Sequence, residues 1–167
     1  LIAALIFLLL ILYHFMHRRK LDDLNSRIFR VLIFVGITDI VFDIVTTLLI
    51  CAENPDLAPV TTAALTVFYL LQVMVPFALF LYSRSLCRTS SQKDMRITAI
   101  LSFPAVFMAV LVIANSWTGI FFYIDACGRY IRGFFYLGMY AYTGLYGVII
   151  FIGSLLCFSR LGVRNFS

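Results

Sequence analysis

Charged residues are scarce in this sequence: only 13% of its 167 residues are Asp, Glu, Lys or Arg, whereas 63% are hydrophobic. A soluble domain of this size could not bury so much apolar surface. The mean hydropathy of +1.02 therefore excludes a soluble globular protein and indicates one that is solvated by a lipid bilayer. The net charge of +5 is clustered between apolar runs, which is a membrane pattern and does not indicate nucleic-acid binding.

Residue types that build catalytic or metal centres are also few. The sequence has two histidines and four cysteines, and it contains no Cys-x-x-Cys pair and no spacing typical of metal ligands. No Ser–His or Cys–His arrangement suggests a nucleophile with its base. We therefore expect no metal, no cofactor and no catalytic residue in this segment.

Five apolar runs remain, and each must be helical where it meets lipid, because no water is available there to hydrogen-bond an exposed backbone. The sequence thus predicts an all-α integral membrane protein, a single domain built as a bundle of five transmembrane helices. The first run is shorter than the roughly 20 residues that a bilayer requires and has no methionine before it, so we expect a fragment of a longer protein. The runs cover approximately 1–16, 28–51, 60–82, 97–114 and 134–158.

The basic residues predict an orientation. Eleven of the thirteen Lys and Arg residues lie in the first and third connections and in the tail after the fifth run. By the positive-inside rule these segments face the cytoplasm, which places the amino terminus outside and the carboxyl terminus inside. The other two cations, Arg129 and Arg132, lie in the long connection 115–133, which is then external.

This external connection is the longest stretch that mixes aromatic, acidic, thiol and basic side chains. Two β-prone stretches, 120–125 and 129–132, are separated by Ala-Cys-Gly, a spacing that favours a hairpin with Gly128 in the left-handed conformation. We expect the hairpin to cover the outer mouth of the bundle. Anchoring of its aromatic residues at the lipid headgroups is an alternative explanation of this composition.

Two cysteines fall on the predicted outer side. Cys51 ends the second run and Cys127 lies in the hairpin turn. Because that side is oxidising, a disulfide between them could tether the hairpin to the second run.

Asp39 and Asp43 are four residues apart in the second run and therefore share a helix face. A carboxylate at such depth is costly unless it is protonated or partnered, so this intramembrane acid pair is a candidate functional site. A neutral pair that fixes helix packing, ligand or ion binding, and proton transfer all remain open. Candidate partners are Gln72, Tyr69, the tyrosines of the fifth run, Arg129 and Arg132.

Two further patterns concern helix packing. Pro76 and Pro104 each deprive the carbonyl four residues earlier of its helical donor, and such kinks line cavities, hinge helices or only shape them. The fifth run has a face of small residues that would let another helix approach closely, in this chain or in a homodimer. These small residues are Gly138, Ala141, Gly144 and Gly147.

The external connection also carries a resemblance. Its pieces are Asn115, the Thr-Gly-Ile-Phe-Phe-Tyr stretch at 118–123, Asp125, and Gly-Arg-Tyr-Ile-Arg-Gly at 128–133. Together with a basic first loop and an acid-bearing helix, these pieces resemble the multi-helix membrane sensor regions at the amino-terminal side of bacterial diguanylate cyclases and histidine kinases. Those regions typically have seven helices and a cytoplasmic output domain, whereas five runs are present here.

The resemblance implies a sensor in the bacterial plasma membrane that detects a ligand or membrane state at its outer face. The signal would leave through the cytoplasmic carboxyl end, towards a cyclase or kinase domain of a longer protein. The implied partners are the bilayer and an unidentified small ligand, and Arg129 and Arg132 could hold an anionic group. The alternative is a small transporter or channel subunit that uses Asp39 and Asp43. Candidate ligand-binding residues are Asn115, Tyr123, Asp125, Arg129 and Arg132 in the hairpin, with Asp43, Gln72 and Tyr140 beneath it.

Overall fold

The computed structural model describes residues 24–86 and 92–164, and within these ranges the chain is mostly helical. The first apolar run, 1–16, lies outside the described residues, so the expected count of five helices stays a prediction. The described elements are α1 (Leu24–Cys51), a 3-10 turn (Pro55–Leu57), α2 (Ala58–Leu86), α3 (Gln92–Thr118), strands β1 (Phe122–Ile124) and β2 (Tyr130–Arg132), and α4 (Tyr136–Arg164).

Each of the four described helices is longer than the apolar run that predicted it. Hydrophobicity marks only the portion that lipid can solvate, whereas helical hydrogen bonds continue into polar sequence at either end. Three segments are long and apolar enough to cross a membrane, namely Pro55–Leu86, Met95–Thr118 and Tyr136–Leu155. Their length and composition suggest a membrane-spanning protein.

Helix α2 is the central element, and α1, α3 and α4 each pack against it. Its buried positions recur every three or four residues, which places them on one stripe of the helix. The buried residues of α3 and α4 have the same spacing and face this stripe. The core is therefore a layer of side chains packed between α2 and these two helices. The buried residues of α2 are Thr61, Leu65, Tyr69, Val73, Pro76 and Phe80.

The outward faces of the helices are apolar as well. Phe34, Ile100 and Leu137 are among many large hydrophobic side chains that are more than half exposed. So much exposed apolar surface is typical of a surface that meets lipid. At the hairpin end of α3, Trp117 is 82% exposed.

The hairpin between α3 and α4 confirms the expectation from sequence. β1 and β2 pair antiparallel, with Tyr123 opposite Ile131. The turn begins at Asp125, whose carbonyl oxygen accepts from the N–H of Gly128 at 3.0 Å. Gly128 has a φ of +79°, the left-handed conformation predicted for it.

Two tyrosines on successive turns of α4 satisfy carbonyls beside the two prolines. The Tyr142 hydroxyl donates to the carbonyl oxygen of Val73 at 2.9 Å, three residues before Pro76. The Tyr146 hydroxyl donates to the carbonyl oxygen of Leu101 at 2.7 Å, three residues before Pro104. A proline ring disturbs the preceding turn and exposes its carbonyls to other donors. The tyrosines of α4 thus connect it to both proline-containing helices.

Substitution of Gly128 tests the contact between the hairpin turn and the connection that precedes α2. A Cβ atom there would lie 2.9 Å from the carbonyl carbon of Asn54 and from the nitrogen of Pro55. We expect Gly128→Ala to lower the free energy of unfolding by about 2 to 4 kcal/mol, from left-handed strain plus overlap. Thermal unfolding in detergent micelles measures the change.

Substitutions at two other glycines separate left-handed strain from steric overlap. Gly119 is also left-handed, but a Cβ there makes only ordinary contact with Tyr123, so Gly119→Ala should cost about 1 to 2 kcal/mol. Gly144→Ala, with nothing within 4 Å of the new atom, should be neutral or slightly stabilising. If Gly128→Ala and Gly119→Ala lowered the free energy of unfolding equally, the turn would not be packed against Asn54.

The tyrosine bonds predict a selective coupling. Tyr142→Phe should lower the free energy of unfolding by about 1 kcal/mol, because it removes the donor to Val73. Pro76→Ala gives the carbonyl of Gln72 its helical donor and removes the proline ring from the turn. The carbonyl of Val73 can then return to its own helical donor at Phe77, so the same change should cost less. Tyr146→Phe, whose bond lies beside Pro104, should cost the same in both backgrounds. Chemical denaturation of the four-variant cycles tests this, and additivity in both cycles would contradict the proposed role of Tyr142.

Candidate functional site

Asn115 holds the hairpin to the end of α3. Its side chain is buried, its Oδ1 accepts from the N–H of Phe121 at 2.7 Å, and its Nδ2 donates to the carbonyl oxygen of Phe122 at 3.0 Å. Buried strand ends need such partners because they lie beyond the regular hydrogen-bond ladder. Asn115 was a candidate ligand-binding residue, but its amide is committed to the hairpin backbone.

Asp125 and Arg129 form the turn of the hairpin. Asp125 Oδ1 accepts from the backbone N–H groups of Cys127 and Arg129, each at 2.9 Å. Its Oδ2 accepts from Arg129 Nε at 3.0 Å and lies 2.9 Å from Arg129 Nη2. The backbone N–H of Arg129, followed by its guanidinium, holds the pKa of Asp125 below its usual value. Both residues, predicted to bind a ligand, therefore satisfy each other.

The two faces of the hairpin differ. Because side chains alternate along a strand, Phe122, Tyr130 and Arg132 share one face and Tyr123 lies on the other. Phe122 is buried and stacks on Tyr69 of α2, with ring centroids 5.1 Å apart. Tyr123 is about half exposed. The predicted role of Tyr123 in ligand binding therefore has no support from its position.

A cavity of about 550 Å³ lies between α1, α2 and α4, beneath β2; we call it the hairpin cavity. It collects both acids of α1, Gln72 of α2, Arg132 of β2 and several tyrosines. Apolar side chains complete its wall. The polar residues of the lining are Asp39, Asp43, Thr46, Thr47, Tyr69, Gln72, Tyr130, Arg132, Tyr136, Tyr140 and Thr143.

Several of these polar groups are already hydrogen-bonded. The hydroxyls of Thr46 and Thr47 donate to the carbonyl oxygen of Asp43. The hydroxyls of Tyr69 and Tyr130 lie 2.9 Å apart, which joins α2 to the hairpin. The hydroxyls of Tyr136 and Tyr140 form a second pair at the same distance. In each tyrosine pair one hydroxyl donates to the other, so one hydrogen per pair is left to donate elsewhere.

Three side chains in the lining are different. Among residues 24–86 and 92–164, no hydrogen bond reaches the carboxylates of Asp39 and Asp43 or the amide of Gln72. The Oδ1 atom of Asp39 is fully buried and has no partner within the described part of the chain. The tyrosines expected to partner the acids bond to each other instead. A buried acceptor without a donor costs about 1 to 3 kcal/mol, more if it is charged.

Arg132 is the basic residue of the cavity lining. Its guanidinium carbon lies 4.6 Å from the centre of the Tyr136 ring, a cation–π contact. Arg129 is held by Asp125 on the turn and does not line the cavity. The structure therefore separates the two arginines that the sequence suggested as one clamp.

The structure thus divides the predicted site residues into two groups. Asp39, Asp43, Gln72, Arg132 and Tyr140 line one cavity, whereas Asn115, Tyr123, Asp125 and Arg129 lie outside it. Tyr136, one of the tyrosines of the fifth run expected near the acids, also lines the cavity. Sequence reasoning missed Tyr130 as a lining residue, although it is two residues from Arg132 on a strand and so shares its face.

Two packing expectations also have outcomes. Cys51 and Cys127 are exposed free thiols, so the suggested disulfide is not formed. Gly128, the next residue in the turn, lies against the connection before α2. On α4, Gly144 and Gly147 are exposed with nothing within 4 Å of an added Cβ. A homodimer through this face therefore stays a prediction.

Comparisons of the chain with models of protein families, with curated proteins and with solved structures found no match. The resemblance to bacterial sensor regions accordingly rests on the sequence motifs alone.

The role of Asn115 is testable by a graded series. Asn115→Leu removes both hydrogen bonds to the hairpin and leaves buried backbone groups unpaired, so we expect a loss of about 2 to 4 kcal/mol in unfolding free energy. Asn115→Asp keeps the acceptor but can donate to the carbonyl oxygen of Phe122 only when it is protonated, so it should cost less than the Leu variant at acidic pH. Amide hydrogen exchange at Phe121 and Phe122 should accelerate in the Leu variant. Unchanged exchange would contradict the anchoring role.

Proposed function

We propose that this chain is the ligand-binding input module of a membrane-embedded signalling protein, and that the hairpin cavity is its input site. One observation carries the proposal: Asp39, Asp43 and Gln72 converge on a cavity without hydrogen-bond partners among the described residues, and Arg132 lies in the same lining. Oδ1 of Asp39 is the atom of this group that is buried at such cost, and ionisable groups inside an apolar bundle are candidates for function.

The position of the cavity fits a sensor. β2 lies over it, and the hairpin end is the one that the basic residues predict to be external. A ligand of moderate size could enter from that side and contact three helices at once. The resemblance of the external connection to bacterial sensor regions supports the same assignment.

Helix α4 offers a route for the signal. Tyr136, Tyr140 and Thr143 line the cavity, and Tyr142 and Tyr146 on the same helix bond to α2 and α3. A ligand that shifts the first group would bias the second, since both belong to one rigid helix. The helix continues to Arg164, towards the predicted cytoplasmic end.

A small transporter or channel subunit is the second candidate, because the unpartnered Oδ1 of Asp39 could receive a proton or a cation. The two functions differ in one respect. A transporter moves its ligand or ion across the bilayer, whereas a sensor binds it on one side and releases it on the same side.

A screen for ligands with a matched pair of cavity variants tests the sensor. We expect a class of small organic compounds to raise the melting temperature of the protein in nanodiscs by about 5 to 10 °C at a hundredfold excess over Kd. Val75→Phe, in the cavity lining, should abolish the shift. Val67→Phe, the same change at an exposed position of α2, should preserve it.

Two results would show where the ligand binds and whether the protein senses it or transports it. A shift that survives Val75→Phe would place the binding site elsewhere and defeat the proposal. Flux of the stabilising compound, or of protons with it, into liposomes that contain the protein would favour transport over sensing.

A further inference from the structure

Among the described residues, no hydrogen-bond donor in the lining of the hairpin cavity serves the two carboxylates, and this indicates the chemical class of the ligand. An ionised carboxylate only accepts hydrogen bonds, and Asp39 and Asp43 together offer four oxygen atoms. Residues four apart on a helix lie about 6 Å apart along its axis. A single group with several donors could therefore bridge them. Among the described residues Oδ1 of Asp39 has no partner and is enclosed by protein, so a donor in the cavity would meet this carboxylate at its other oxygen.

The charge of the lining indicates the sign of the ligand. The lining contains two acids and one base, so with both acids ionised its net charge is negative. Arg132 lies over the Tyr136 ring. In an apolar bundle an unbalanced charge is costly, and one bound monovalent cation would neutralise the lining.

The aromatic wall favours an organic cation. The rings of Phe68, Tyr69, Tyr130, Tyr136 and Tyr140 contribute to the lining. These rings give the lining flat apolar surface against which the organic part of such a cation can pack. Each tyrosine pair also keeps one hydroxyl hydrogen for a polar group of the ligand.

A bare metal ion suits the cavity less well. Among the described residues no group of three or more His, Cys, Asp or Glu side chains is arranged to hold one. A volume of about 550 Å³ far exceeds that of an ion, and Ile50, Leu65 and Met139 give it apolar surface. The lining therefore complements a molecule with an ammonium head and an apolar body.

We propose that the hairpin cavity binds a small organic ammonium ion, with the ammonium group between Asp39 and Asp43 and the apolar part against the tyrosines of β2 and α4. This inference rests on the proposed function, because it names the ligand class of the same site. It differs from the clamp suggested by sequence, which would hold an anion.

Three probes with one ring and similar chain length test the class: 2-phenylethylamine, phenylalanine and 3-phenylpropionate, which are a cation, a zwitterion and an anion at neutral pH. Calorimetric titration of the full chain in nanodiscs should show the amine binding at least about tenfold more tightly than either of the others. Asp43→Asn should weaken amine binding by a similar factor. Asp56→Asn, an exposed acid outside the cavity, should leave it unchanged.

The other outcomes separate this inference from the proposed function. Preference for the anion, lost in Arg132→Gln, would overturn the ammonium class and leave a ligand-binding cavity in place. Preference for the zwitterion, lost in both Asp43→Asn and Arg132→Gln, would also overturn the ammonium class and leave a ligand-binding cavity in place. Binding of none of the three probes would also overturn the ammonium class, whereas the input role is decided independently by the Val75→Phe and Val67→Phe comparison.

Discussion

Main-chain polar groups in an apolar bundle must find their partners inside the protein, and this constraint organises the structure. Where Pro76 and Pro104 interrupt the helical ladders, hydroxyls of α4 donate to the carbonyls of the disturbed turns. Where the chain leaves α3 and cannot be helical, Asn115 supplies a donor and an acceptor to the hairpin. These side chains thus add specific hydrogen bonds between elements whose contact is otherwise apolar packing.

In the hairpin cavity, by contrast, some polar side chains are not hydrogen-bonded to any described residue. Threonine hydroxyls there return to their own helix and tyrosines pair with each other, yet both acids of α1 are left without donors among the described residues. Tyr69 and Tyr130 could have turned to the acids and instead join α2 to the hairpin. The same tyrosine pair therefore stabilises β2 above the cavity and leaves the carboxylates available. Within this polar cluster the tyrosines stabilise the fold, and the proposed function draws on the acids.

Local patterns predicted part of this arrangement well. The Ala-Cys-Gly spacing predicted the hairpin and the left-handed Gly128, and helical periodicity placed Asp39 and Asp43 on one face. The sequence did not predict which partners individual polar side chains would bond. A buried asparagine that binds a strand end looks in sequence like one that binds a ligand, so the sequence did not separate Asn115 from the residues of the cavity lining. Arg129 and Arg132 were treated as equivalent because the pairing of Arg129 with Asp125 depends on the geometry of the turn.

The exposed indole of Trp117 has a practical consequence. It is the sole tryptophan of the chain and lies at the end of α3, two residues beyond the asparagine that holds the hairpin. All tryptophan emission therefore originates beside the hairpin, and its wavelength depends on the polarity around that one ring. The protein thus carries an intrinsic optical probe at the end of α3, and changes in polarity around that ring can be followed in real time without a label.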